Sequence, residues 1–333
     1  MSEITFSCML VEETESKAFT RKITTRSVDD LPEGDLLVRV QYSSLNYKDA
    51  LSASGNKGVS RKFPHTPGID AAGEVVRCGD GVFEEGEKVL VTGYDLGMNT
   101  PGGFGQYIRI PSSWAVRLPP GLTLREAMAL GTAGFTAALC ILGLEKGGVR
   151  PGDGEVIVTG ATGGVGSVAV SILAQAGYNV TAVTGKPEAE EYLGSLGAKN
   201  VVDRAAVLEG ADRPMMKEHW AGAVDVVGGD TLAALIKATR YGGVVTCCGL
   251  VGSPDLSMSV FPFILRGVSL IGIDSVQVPM EPRKKVWERL AGEWKPDHLE
   301  NTVTEVGLEE LDGKINDILA GKVTGRTVVR LWE

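Results

Sequence analysis

The amino-acid sequence predicts an α/β protein in which a doubly wound parallel sheet is joined to a smaller, partly closed β domain. Three observations carry this. From residue 156 onward, short apolar runs alternate with helical segments, the pattern of a parallel sheet covered on both faces. The first of these units, EVIVTGATGGVGSVAVSILAQA (155–176), places a glycine-rich turn between an apolar strand and a helix with a small and aliphatic face. Before about residue 120, β-like runs follow one another between Pro and Gly residues, which reads as a β domain rather than a helical one.

Taken in order, strands are expected at 35–40, 72–76, 88–92 and 104–110. Pro32, Gly34, Pro64, Pro67, Gly68, Gly86, Gly102 and Gly103 punctuate them. At Thr123 the texture changes. Thr123 and Glu126 fit a capping box that opens a helix through the small-residue stretch 127–142. Parallel strands follow near 156–159, 180–184, 201–203, 224–227, 244–248 and 270–273. The intervening helices include 165–176, 188–196, 231–240 and 283–293. From about residue 299 the β texture returns, with strands 302–306 and 326–331 flanking a helix at 309–320. Residues 1–124 and 299–333 therefore read as the β domain, and 125–298 as the parallel-sheet domain.

A length of 333 residues suits two domains, and 43% hydrophobic with 23% charged residues describes a globular chain. A formal net charge of −9 supplies no basic field for nucleic acid. No apolar run is expected to reach the length of a membrane span, and MSEITFSCML has neither a basic start nor an apolar signal core, so a cytoplasmic protein is expected. The five cysteines have no paired spacing and read as buried small residues.

The glycine turn carries the first chemistry. Set against G-x-G-x-x-G, its three positions are Ala161, Gly163 and Gly166. Gly163 lets the backbone approach a pyrophosphate, and Gly166 lets the new helix pack on the strand. Thr162, Gly164 and Val165 complete the turn, whose helix start offers N–H groups and a positive dipole end to an anion. With 44 glycines in the chain such a pattern arises easily by chance, so its weight comes from the flanking strand and helix. About 20 residues on, where an NAD site places an acid for the ribose hydroxyls, the sequence reads Thr184-Gly185-Lys186. A hydroxyl, an open backbone and a cation suit the 2′-phosphate of NADPH, and Arg204 is a candidate second charge. The competing reading of Lys186 is a solvated turn residue.

The order of these parts resembles the medium-chain dehydrogenase/reductase superfamily, a GroES-like domain with a Rossmann-type domain inserted in it. The resemblance runs nearly end to end. It is closest to the bacterial acryloyl-CoA reductase and YhdH/YhfP-type quinone oxidoreductase branch. It is carried by NYKDAL (46–51), FPHTPGIDAAGEV (63–75), REAMALGTAGFTAAL (125–139), VTGATGGVGSVAV (158–170), PFILRGVSLIGIDSV (262–276) and GKVTGR (321–326). Zinc-dependent members carry a G-H-E segment; here it reads Gly68-Ile69-Asp70, with isoleucine in place of the ligand histidine. SSLNYKDAL has no cysteine where those members place a ligand, and no four-cysteine lobe exists. His65 reads as a structural turn residue. No metal is expected.

Without a Lewis acid the acceptor must take hydride unaided, as a quinone or a double bond conjugated to a carbonyl does. The protein must then supply donors to the developing enolate oxygen and a proton to the α-carbon. Asn46, Tyr47, Lys48 and Asp49 form the best cluster for that work, in a segment that faces the nicotinamide in the resembled family. Tyr47 is the candidate cofactor contact and proton source, and Asn46 the candidate orienting residue. Lys48 and Asp49 stand equally as a structural ion pair. The resemblance further implies that Gly249, Leu250, Ile264 and Ser275 hold the nicotinamide end, and that Arg326 reaches the cofactor phosphates. Arg61–Lys62 and Arg283-Lys284-Lys285 are candidate patches for the phosphates of CoA, against the ordinary reading of solvated cations.

The implied activity is NADPH-dependent reduction of a short 2-enoyl-CoA, acryloyl-CoA foremost. A quinone or enone reductase of broad scope reads from the same residues. A crystallin-like NADPH-binding protein without turnover is the alternative of another class. The apolar run 268–273 is expected to pair across a two-fold axis into a homodimer.

Overall fold

The computed structural model describes residues 4–333. It opens with a hairpin of β1 (Thr5–Glu13) and β2 (Phe19–Ser27), which pair antiparallel along their whole length. The sequence reading contains no such hairpin. The reason is visible in β2, FTRKITTRS, whose side chains are half-buried or exposed and so carry no apolar run. Strand β3 (Leu36–Leu45) is longer than expected because the polar Ser43 and Ser44 continue it into the core. Helix α1 (Tyr47–Ala53) follows, then β4 (Asp70–Cys78), β5 (Lys88–Thr92), β6 (Tyr107–Ile110) and the short β7 (Val116–Arg117).

The capping box at Thr123 is present: Glu126 Oε2 accepts from the Thr123 amide at 2.8 Å, and Thr123 Oγ1 accepts from the Glu126 amide at 3.1 Å. It opens α2 (Leu124–Lys146), which breaks at Gly131 (φ 53°, ψ −158°). By length and composition α2 is apolar enough to cross a bilayer, which corrects the expectation that no run is. It is a core helix: 83% of its most apolar window is buried in protein.

The chain divides after Thr132, beyond the expected boundary at 124. The second unit holds β8 (Glu155–Val158), α3 (Gly164–Gln175), β9 (Asn179–Thr184), α4 (Glu190–Ser195), β10 (Asn200–Asp203), α5 (Arg204–Leu208), β11 (Trp220–Asp225), α6 (Gly229–Ala238), β12 (Thr239–Cys247), α7 (Phe261–Arg266) and β13 (Ser269–Gly272). Its six strands run parallel in the order β10-β9-β8-β11-β12-β13, so the chain winds outward in both directions from β8. Val156, Ile157, Val158, Val180 and Val224 are fully buried, as expected of central strands covered on both faces.

Residues Val276–Ala291 return to the first unit, although the sequence assigned them to the second. They contain α8 (Met280–Ala291), and the remainder of that unit is β14 (Val303–Gly307), α9 (Leu311–Leu319) and β15 (Arg326–Arg330). Its seven-stranded sheet runs β14-β15-β3-β4-β5-β7, with β6 also paired to β3. Arg283 corrects the proposed phosphate patch. It is fully buried, donates to the backbone and hydroxyl of Thr92 and to the carbonyls of Val276 and Val278, and lies 4.5 Å from the Tyr94 ring centroid. A guanidinium spent in this way serves the fold. Lys284 pairs with Glu281, leaving Lys285, Arg61 and Lys62 as the surface cations of those patches.

Candidate active site

Each of the two units holds its own group of candidate site residues. In the first, Asn46 caps the N-terminus of α1 and Tyr47 is its first residue. Asp49, fully buried, accepts from the Asn46 amide at 2.8 Å, from Asn46 Nδ2 at 3.2 Å and from the Ile69 amide at 2.8 Å. Asp70, also fully buried, accepts from Ser44 Oγ at 2.6 Å, Asn46 Nδ2 at 2.8 Å, the Thr132 amide at 2.9 Å and Thr132 Oγ1 at 2.5 Å. Arg326 closes the cluster, donating to the Ala129 carbonyl, to Asn46 Oδ1 at 3.2 Å and to Ser44 Oγ at 2.9 Å.

Two carboxylates and one guanidinium thus share a buried site. Burial first, and the charge of Asp70 second, push the Asp49 carboxyl from its ordinary 3.8 up to about 7. Burial depresses Arg326, while Asp70 and Asp49 oppose that. Gly131 is packed against the same atoms. A Cβ there would lie 2.6 Å from both Asp70 Oδ2 and Ser44 Oγ, and 2.8 Å from Arg326 Nη2.

This geometry revises the sequence assignments. Arg326, expected at the cofactor phosphates, is 3% exposed with its donors committed inside the cluster. Asn46 gives Nδ2 to two carboxylates and Oδ1 to Arg326, so its amide is taken up inside the cluster. Asp49 bonds Asn46 and Ile69, so the alternative reading of Lys48 and Asp49 as an ion pair does not hold, and Lys48 is half-buried. Tyr47, 44% exposed, is the group of the four that the network leaves facing outward. Ser44, Asp70 and Thr132 escaped the sequence reading. The available signal was two serines at the end of an apolar strand, and an acid directly after Ile69.

In the second unit, β8 ends at the turn Thr159–Gly160, and Gly163 precedes the first turn of α3. The first helical bond runs from the Ser167 amide to the Gly163 carbonyl, so the amides of Gly164, Val165 and Gly166 precede it, as at any helix start. Ala161 is buried and its amide bonds Val183 O. Gly166 is required: a Cβ there would lie 2.3 Å from Gly160 O. A small cavity beside the turn brings Thr162, Thr184, Gly185, Lys186 and Arg204 together. Thr184 Oγ1 accepts from the Lys186 amide, and a Cβ on Gly185 would lie 3.0 Å from Arg204 Nη2. Asp203, the neighbouring acid, caps α5 by accepting from the Ala205 amide. The lining is cationic and fits a phosphorylated ribose.

A second cavity of about 440 Å³ opens at the C-terminal ends of β12 and β13 and is lined by Gly249 and Leu250, among others. Ile264 and Ser275 line neither cavity; Ile264 stands on α7, 68% exposed. Between the turn and this cavity lies Asp225, which the sequence reading missed. It accepts from Thr159 Oγ1 and from the Gly228 amide, both at 2.7 Å. Its only sequence signal was an acid closing an apolar strand.

Among the described residues no three His, Cys, Asp or Glu side chains come together as a metal-ligand set. Ile69 offers no donor side chain, and the Nε2 of the buried His65 lies 2.8 Å from the Gly97 carbonyl. The residues do not fit a tetrahedral zinc site.

A GroES-like β unit and a Rossmann-type unit with a phosphate turn define a medium-chain dehydrogenase/reductase. The pattern of the alcohol dehydrogenase GroES-like domain matches residues 32–120, and that of the zinc-binding dehydrogenase domain residues 164–292. Acrylyl-CoA reductase AcuI of Ruegeria pomeroyi is 46% identical over 97% of this chain and 98% of its own. The Bacillus subtilis protein YhfP, whose given name places it among quinone oxidoreductases, is 48% identical over 93% of this chain and 94% of its own. Its structure with NAD bound superposes with a TM-score of 0.96, covering 98% of this chain and all of that one. The YhdH oxidoreductase of Salmonella enterica, solved with NADP, is 42% identical with a TM-score of 0.95 over 98% of this chain and all of its own. The chain belongs to this family of AcuI-type acrylyl-CoA reductases and YhdH/YhfP oxidoreductases.

Proposed function

We propose that the protein reduces the carbon–carbon double bond of a short 2-enoyl-CoA, acryloyl-CoA foremost, with NADPH and without a metal. The observation that carries this reading is the buried cluster of Asp49, Asp70, Asn46 and Arg326, which is spent on holding α1 and leaves the Tyr47 ring exposed. Such a site offers an exposed phenol and no metal-ligand set, which suits an acceptor whose own carbonyl takes up the developing charge.

When bound, the reduced nicotinamide supplies the hydride. Gly164, Val165 and Gly166 would hold the pyrophosphate by backbone N–H groups, with Gly163, whose own amide bonds Gly160 O, letting the backbone come close, and Thr184, Gly185, Lys186 and Arg204 would hold the 2′-phosphate. Gly249 and Leu250 would meet the nicotinamide end. Tyr47 would position the acceptor and donate the proton that follows hydride transfer. Lys48, half-buried beside it, would add positive charge near the enolate oxygen. Arg61, Lys62 and Lys285 stay available for CoA phosphates. The similarity to YhfP favours quinone reduction as the second reading. The protein would work as a homodimer through the edge strand β13, and light scattering tests that.

Steady-state kinetics with acryloyl-CoA, crotonyl-CoA and a quinone, each with NADPH and NADH, test the assignment. NADPH oxidation fastest with acryloyl-CoA supports it. Oxidation by the quinone alone establishes the second reading, and tight NADPH binding without turnover on any acceptor refutes both.

A further inference from the structure

Two thiols, Cys247 and Cys248, line the 440 Å³ cavity. Under the function proposed above, that cavity takes the nicotinamide end, and the conjugated thioester that receives its hydride there is a soft electrophile. A thiolate would add to the β-carbon that otherwise takes hydride. The S–C bond forms, the π electrons of the double bond move to the enolate, and the α-carbon then takes a proton. A thiol in its protonated form does not react in this way.

The surroundings are arranged against the thiolate. Cys247 Sγ lies 3.9 Å from Asp225 Oδ2 and 3.9 Å from the Gly249 carbonyl, both acceptors. Cys248 Sγ lies 3.6 Å from the Asp225 carbonyl, and Cys140 of α2 also bonds it. The other ionisable groups lining the cavity are Asp255 and Asp274; no Lys, Arg or His lines it. One neighbouring feature would favour a thiolate, the N-terminal end of α6, and Asp225 occupies it by accepting from the Gly228 amide.

We propose that Asp225 is a positioning residue that holds Cys247 as a thiol, so that an electrophilic thioester in this cavity is reduced and does not alkylate the protein. Burial first and Asp225 second push the Cys247 thiol up to about 11. Cys248 is raised as well, by its bond to Cys140 and by burial.

The test uses the full chain and N-ethylmaleimide, a conjugated acceptor without CoA, with alkylation of each cysteine followed by peptide mass spectrometry. For the wild type, the Cys247 rate is expected to keep rising with pH beyond about 9.5, and to lie about a hundredfold below that of N-acetylcysteine near neutral pH. Levelling near the ordinary thiol value overturns the proposal. In Asp225→Asn the Cys247 rate is expected to rise at least about tenfold. An unchanged rate in a variant with wild-type circular dichroism overturns it, and if that variant does not fold, the wild-type pH profile decides. The assay contains no enoyl-CoA. A slow Cys247 in a protein inactive on enoyl-CoA refutes the functional reading and leaves the thiol chemistry standing. A fast Cys247 in an active reductase refutes the proposal alone.

Discussion

Replacing Asp49 by asparagine sets two effects against each other, and pH separates them. The carboxyl is fully buried and lifted from 3.8 to about 7, first by burial and then by Asp70. A carboxyl whose folded-state pKa is raised contributes stability that is complete below the unfolded value and is lost as pH rises through the folded one. The window therefore runs from about 3.8 to about 7. Between about pH 5 and pH 8 the wild type passes through roughly two pKa units of it, or about 2–3 kcal/mol at ~1.4 kcal/mol each. The amide does not titrate and lacks this slope. Against that, three N–H groups converge on the carboxylate, from the Asn46 backbone, Asn46 Nδ2 and Ile69. An amide must turn its own NH2 toward one of them, at a cost of about 1–3 kcal/mol at every pH. Asp49→Asn is thus expected to be less stable at pH 5 and to close that gap by about 2–3 kcal/mol toward pH 8. Urea unfolding across this range, read from tryptophan fluorescence with the two units fitted as separate transitions, measures it. Parallel pH profiles for wild type and variant would refute the reasoning and mean that the three N–H donors keep Asp49 ionised throughout.

Tyr47→Phe is expected to lower kcat on the enoyl thioester by about a hundredfold while the Kd for NADPH, measured by fluorescence, is unchanged; equal turnover reduces Tyr47 to packing. Lys186→Glu places a carboxylate where the 2′-phosphate is expected, and the KM for NADPH should rise about tenfold or more while that for NADH moves little. A common shift in both would sink the assignment of Lys186. Gly131→Ala puts a methyl at positive φ and 2.6 Å from Asp70 and Ser44. It is expected to cost at least about 2–3 kcal/mol, visible as a fall in Tm. An unchanged Tm would mean that the break in α2 relaxes freely.

The parallel-sheet unit was legible because its physics is local. A central strand buried on both faces must be apolar throughout, and a helix packed at Gly166 against the turn backbone of Gly160 and Ala161 tolerates no Cβ, so both appear as residue types in a row. The β1–β2 hairpin was illegible because its second strand keeps polar side chains half in solvent. The return of α8 to the first unit was hidden for a different reason: its anchor, Arg283, reads as one member of a basic run until Thr92 and Tyr94 are brought to it.

The same division runs through the site. The sequence alone determined the dinucleotide turn, the cationic end of β9 and the isoleucine at 69, because each is decided by which residue stands at one position. What Asn46, Asp49 and Arg326 do was decided only by the tertiary structure. Arg326 lies some 280 residues from Asn46 in the chain, and no local pattern shows that Asp70 will be there to take the second hydrogen of the Asn46 amide. A buried charge must find its partners, and those partners come from whichever strands the sheet happens to align. The same holds for Asp225, whose carboxylate meets Thr159 and Cys247 only once β8, β11 and β12 lie side by side.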